Sequence, residues 1–215
     1  MWQRFQAHFP FLFFLSPIMT MLKKVLLAVS SALVMGQACA ANVMIESIEY
    51  ADKVTVAKEE LVLNGAGLRK VVFFKVYAAG LYIPKAVNTT KAVLEQTGAA
   101  RVRLGLLRDV SAGDFVEALE DGLKDNTSED DLKAFETQVA GLIAVMKKIG
   151  DVKVGDIIDF EFSPKAGTSV TMNGQVVGDN LGGKPLFDAV LRIWLGDRCI
   201  DESLKEALLK AKNTD

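Results

Sequence analysis

Apolar and polar positions trade places with two different periods along this chain. Residues 43–63 alternate in places, with Val54 and Val56 and then Leu61 and Leu63 on one side, a spacing that predicts strands. Asn64-Gly65-Ala66-Gly67 reads as a turn. Residues 71–83, rich in β-branched and aromatic side chains, predict one long strand, partly buried on both faces and ended by Pro84. A short helix is expected over 89–97 and another strand over 101–108. The period then lengthens. Ser111 and Asp114 open a helix to about residue 124, and a longer one is expected over 128–149. That helix carries Leu132, Phe135, Val139, Leu142, Ile143 and Met146 on one stripe and stops at Gly150. Strands return at 157–162 and 168–179, the second folded at Asn173-Gly174. Pro185 starts a helix that Gly196 ends, and an amphipathic helix is expected over 201–212. Strands first, helices next and both at the end predict an α+β domain, with helices covering an antiparallel sheet.

The first forty residues follow neither pattern. Lys23 and Lys24, the apolar run 25–35 and the small-residue site Ala38-Cys39-Ala40 form the three parts of a signal peptide in order. Cleavage is expected after Ala40, leaving a domain at 41–215 in the periplasm or outside the cell. Residues 1–20 precede a complete signal that begins at its own methionine, Met21, so an early start codon explains them. The rival is a membrane anchor, but Ser16, Pro17, Lys23 and Lys24 interrupt the apolar run before it reaches the ~20 residues a span requires.

Removing that segment changes the chemistry on offer. His8, the only histidine, leaves with it, and Cys199 becomes the single cysteine. Histidine-based triads, histidine-ligated zinc sites and an intrachain disulfide are then excluded, and no metal or cofactor is expected. Arg4, Lys23 and Lys24 are lost from 25 basic residues and nothing from 27 acidic ones, so 22 face 27 and the net charge is −5. That balance argues against nucleic acid as a partner. A monomer is expected.

Three motifs tempt and fail. Gly178 to Lys184 has phosphate-loop spacing, but Pro185 stands where a magnesium-holding hydroxyl belongs. Gly65-Ala66-Gly67 lacks the third glycine and the helix of a dinucleotide fingerprint. Glu129-Asp130-Asp131 occupies a first helical turn, where the helix dipole favours acids. Arg69 is different. It heads a stretch, 61–94, without one Asp or Glu, and an inward guanidinium must find an anion. A tertiary partner, an exposed turn and a bound anion all remain open at this point.

LNGAGLRK followed by Lys75-Val76-Tyr77-Ala78-Ala79-Gly80-Leu81-Tyr82 resembles the chalcone isomerase family. So do Arg108-Asp109-Val110-Ser111 and the ending LFDAVLRIWLGDRCIDESLKEALL, giving a resemblance over about 43–211 that is nearest to a bacterial, exported branch. It implies an open-faced β-sandwich: a large antiparallel sheet with helices packed on one side and a ligand cleft between. In the plant enzymes, which close a chalcone to a flavanone, five polar side chains line that cleft. Carried over, the arginine is kept as Arg69, the strand threonine falls on Tyr77, the helix tyrosine on Phe115, the asparagine near Gly122 and the late threonine on Ile193, beside Trp194. Losing one oxyanion donor typically costs about 10²–10³ in rate, so efficient cyclisation is not expected. Arginine with a strand tyrosine is similar instead to the family's fatty-acid-binding branch. That likeness implies a carboxylate held by Arg69 and Tyr77, with Phe73, Phe115, Ile193 and Trp194 lining the tail. The alternatives are an isomerase or intramolecular lyase acting on an enone, with Arg69 as its catalytic residue, and an interaction module with a collapsed cleft.

Overall fold

A computed structural model describes residues 42–210. The expected signal segment 21–40, the preceding residues 1–20 and the far end of the expected last helix lie outside these residues. Seven strands form one antiparallel sheet in chain order: β3 (Lys53–Val56), β4 (Glu59–Val71), β5 (Phe74–Ile83), β6 (Ala100–Leu106), β7 (Ile157–Ser163), β8 (Gly167–Met172) and β9 (Gln175–Gly178). Helices α1 (Thr90–Leu94), α2 (Ala112–Asn126), α3 (Glu129–Ala134), α4 (Glu136–Ile149), α5 (Lys184–Leu195) and α6 (Glu202–Leu208) interrupt that order. The α+β architecture with helices on one side of the sheet is as expected.

Alternation along β6 and β7 divides two cores. Val102, Leu104, Leu106, Ile158, Phe160 and Phe162 point to the helices and join the larger apolar cluster. The other face is not bare. A two-stranded ribbon, β1 (Val43–Ile45) with β2 (Ile48–Tyr50), lays Ile48 and Tyr50 over it in a second cluster with Leu61, Leu63 and Tyr82. The ribbon sits close: a methyl group on Gly105 or Gly80 would collide with Ile48 or Tyr50. Both clusters lie within one compact unit that spans 40–215.

Four expectations need correction. Residues 64–67 are not a turn but the middle of β4, because α6 packs on Gly65 and Gly67, whose missing side chains leave the room its Ala207 fills. The strand expected over 71–83 is two strands, reversed at Val72 and Phe73; Val72 has φ 57, in a region where β-branched residues are uncommon. The helix expected over 128–149 breaks at Phe135, which leaves helical geometry (φ −123, ψ 32) and separates α3 from α4. The expected helix over 201–212 runs only over Glu202–Leu208, with Asp201 capping it. Elsewhere the local signals hold. Ser111 accepts from the Asp114 amide at the start of α2, and Pro185 and Gly196 bracket α5.

Candidate functional site

The position of Arg69 depends on one extra residue. Leu63 pairs with Tyr82 and Gly65 with Leu81, so Asn64 is a bulge without a partner across the strand pair. Leu61 and Leu63, ahead of it, face the ribbon; Gly65, Gly67 and Arg69, after it, face the helices. Asn64 is fully buried, and both ends of its amide are used. Nδ2 donates to the Leu208 carbonyl at 2.7 Å, while Oδ1 accepts from the Val87 amide at 2.7 Å. A second irregularity follows Arg69, leaving Val76 as the extra residue on β5, so Val76 and Tyr77 both reach the helix side.

Arg69 and Tyr77 are directly paired across β4 and β5 at one end of a cavity of about 360 Å³. Its floor is Leu104, Leu106 and Phe160 of the sheet. Its roof is Phe115 and Leu119 of α2, Met146 of α4 and Ile193 and Trp194 of α5. Arg108, Asp109 and Asp114 stand among the lining as charged groups. This volume falls at the lower end of the range typical of small-molecule sites, which are apolar pockets with few polar groups.

The polar groups at that end are unevenly satisfied. Trp194 Nε1 donates to the Tyr77 hydroxyl at 2.9 Å, and the Trp194 ring lies tilted against Phe160 at 6.0 Å between centroids. Burial pushes the Tyr77 phenol up to about 12, although Arg69 and the Trp194 hydrogen bond pull it down and Asp201 raises it further. The phenol therefore keeps its proton at neutral pH and has it to donate. The Arg69 guanidinium lies 5.8 Å from the Tyr77 ring centroid. Its Nε is buried without a hydrogen-bond partner, and Arg69 forms no ion pair among the described residues. A buried donor left without a partner is costly, and an acceptor placed beside Arg69 Nε would relieve that cost.

Over residues 42–210 the sequence matches the chalcone isomerase-like family. The chain belongs to that family. No curated protein matches it. Among solved structures it is similar to the crystal structure of an Arabidopsis thaliana fatty-acid binding protein, with a TM-score of 0.58 and 16% identity over 79% of this chain and 96% of that one. At that identity the likeness is one of fold. The chalcone isomerase-like chain brings five of its six expected ligand-binding residues to the cavity: Arg69, Tyr77, Phe115, Ile193 and Trp194. Phe73 is elsewhere. It forms the β4–β5 turn and is 93% exposed, because the strand expected to carry it inward reverses there.

The three other positions where the plant enzymes place polar groups have been given to packing. Phe115 and Ile193 are apolar, and Gly122 lies so close to Ile193 that a β-carbon would sit 2.8 Å from its Cγ2, leaving no room for asparagine. Asn64 is the residue positioning this strand that the sequence hides, since a bulge inside NGAG looks like the turn those residues usually make. Arg108 stands out in the sequence only as part of a motif.

Proposed function

We propose that this chalcone isomerase-like protein is exported and binds, as a monomer, a fatty acid or similar amphipathic carboxylate in the cavity between sheet and helices. One observation carries the reading: the buried, unpartnered Arg69 Nε, beside a protonated Tyr77 hydroxyl, in a cavity whose remaining lining is chiefly apolar, with Arg108, Asp109 and Asp114 as its other charged groups. A carboxylate between them accepts from both, and charge-assisted bonds of this kind are the strong ones. The alkyl chain then lies along Leu104, Leu119, Met146 and Phe160. The fatty-acid binding of the Arabidopsis thaliana relative, which shares the fold, supports the same assignment. Export is supported by the ordered basic, apolar and Ala38-Cys39-Ala40 segments.

Native mass spectrometry of the purified protein and its Arg69→Ala variant, with lipid extraction, tests the reading. A co-purified acyl carboxylate on the wild type and none on the variant supports it. A wild-type mass that does not shift when fatty acid is added overturns it. The mass of the protein recovered after expression tests export, which predicts Ala41 as the first residue. Arg69 and Tyr77 also converge as a two-donor pair able to meet an enolate oxygen. Cyclisation of a hydroxylated chalcone at a rate abolished by Arg69→Ala would replace the binding reading with an intramolecular lyase.

A further inference from the structure

Val71, Val72, Phe73 and Phe74 are 43%, 78%, 93% and 62% exposed, four consecutive apolar side chains in water at the β4–β5 turn. Folded surfaces seldom present such a run without a use for it. The turn itself is made by Val72 at φ 57, where asparagine or glycine would serve at less cost, so the apolar side chain is kept against the backbone's preference. Val154 and Val176 bring to six, of seven, the exposed large hydrophobics at this end of the sheet among the described residues. Strand register puts them there: the 72–73 turn, the end of β6, the start of β7 and the 173–174 turn all share one edge of the fold.

Charge and position say what the tip meets. Lys70 and Arg108 flank it, and neither forms an ion pair among the described residues; Lys75 is matched by Glu46 at 2.8 Å. Arg108 lies over the Phe74 ring at 5.2 Å and also lines the cavity, as does Val71. The apolar tip thus adjoins the cavity through Val71 and Arg108. A protruding tip of valine and phenylalanine flanked by two cations outside any ion pair, Lys70 and Arg108, is shaped to enter a soft, negatively charged interface rather than to receive a rigid partner.

We infer that the β4–β5 tip docks this protein on anionic lipid bilayers, with Val72 and Phe73 inserted among the headgroups, Lys70 and Arg108 on the lipid phosphates and the cavity entrance held at the surface. The inference rests on the carboxylate-binding reading for its purpose, since an acyl chain moving between bilayer and cavity would then bypass water, but the docking is tested separately.

The experiment is flotation of the 41–215 chain with vesicles containing phosphatidylglycerol and with vesicles of phosphatidylcholine alone. The wild type is expected to float with the first and only weakly with the second. Val72→Ser with Phe73→Ser is expected to lower partitioning about tenfold or more, and Lys70→Ala about fivefold on the anionic vesicles only. Both variants change exposed residues outside the cavity, so their affinity for oleate in detergent-free buffer is expected to match the wild type, which also shows that they fold. Arg69→Ala is expected to lose oleate and still float. Vesicle binding without oleate binding would keep the docking surface and overturn the ligand reading; oleate binding without vesicle binding would overturn the docking surface alone. Equal flotation of the serine variant would overturn it too. So would a concentration-dependent dimer abolished by that variant with no flotation, because the tip would then belong to a second copy of the chain.

Discussion

The two faces of the sheet bury the same residue types to opposite ends. On the ribbon side, Arg103 and Asp159 stand opposite each other on β6 and β7 and form a two-pronged pair at 2.8 and 2.9 Å. Arg101 meets Glu161 in the next such register, with Nε to Oε1 at 2.7 Å. On the helix side, Arg69 has a tyrosine across the strand pair and forms no ion pair among the described residues, although Asp109 and Asp114 line the same cavity. One face supplies its own anions and is covered by Tyr50 and Ile48; the other keeps a cavity and leaves Arg69 Nε without a partner among the described residues. Where a fold pairs a buried charge internally, the charge is part of the architecture. Where it does not, as at Arg69 Nε, the proposed carboxylate would supply the acceptor.

That contrast can be broken from the ribbon side. Asp159→Asn leaves Arg103 unpaired under the ribbon and is expected to cost about 3–5 kcal/mol in urea denaturation. A loss below about 1 kcal/mol would mean that solvent already reaches the pair. Next comes the device that separates the faces. Asn64→Ala strips the Val87 amide and the Leu208 carbonyl of their partners, at about 2–3 kcal/mol, and fatty-acid affinity is expected to fall with stability as Arg69 loses its aim. Full affinity in that variant would show that the bulge persists without its side chain.

Arg69→Met reverses the sign. It removes an unpartnered guanidinium, so ligand-free stability is expected to rise by about 1 kcal/mol while fatty-acid binding is lost. Destabilisation on that change would place an internal partner on Arg69 and remove the contrast. The mildest test leaves the sequence intact. The chain has three tyrosines, all buried: Tyr77 and Tyr82 are pushed up to about 12 and Tyr50 higher still, each chiefly by desolvation. Because folding raises these values, the protonated phenols stabilise the fold fully below pH 10, and that contribution is lost as pH rises through about 12. Tyrosinate absorbance is expected to stay silent across the ordinary phenol range and then appear together with unfolding. A gradual rise centred near pH 10 with the fold intact would mean that the cavity admits solvent to Tyr77.

Much of this architecture is legible in the residues themselves. Ser111, Pro185 and Gly196 mark helix ends because capping is local, and the acid-free stretch around Arg69 marks an arginine in search of an anion. What the residues conceal is decided at long range. Gly65 and Gly67 sit in a strand because a helix some 140 residues on needs their missing side chains, and nothing within the motif says so. Val72-Phe73 turns without a turn residue, so the pattern places Phe73 inside the cleft while the fold leaves it outside. The ribbon over the second face is built from two strands of three residues, too short for a period to show.

The Asn64 amide ties the start of the binding strand pair to the Leu208 carbonyl, 144 residues further on. A chain made from its N-terminus therefore holds both Arg69 and Tyr77 long before the α6 helix exists to seat the bulge that aims one of them. The pocket is among the last features to be finished, and a truncation that spares every lining residue but stops short of 208 would leave it unassembled. On the carboxylate-binding proposal, ligand competence would in that sense certify that synthesis has passed α6.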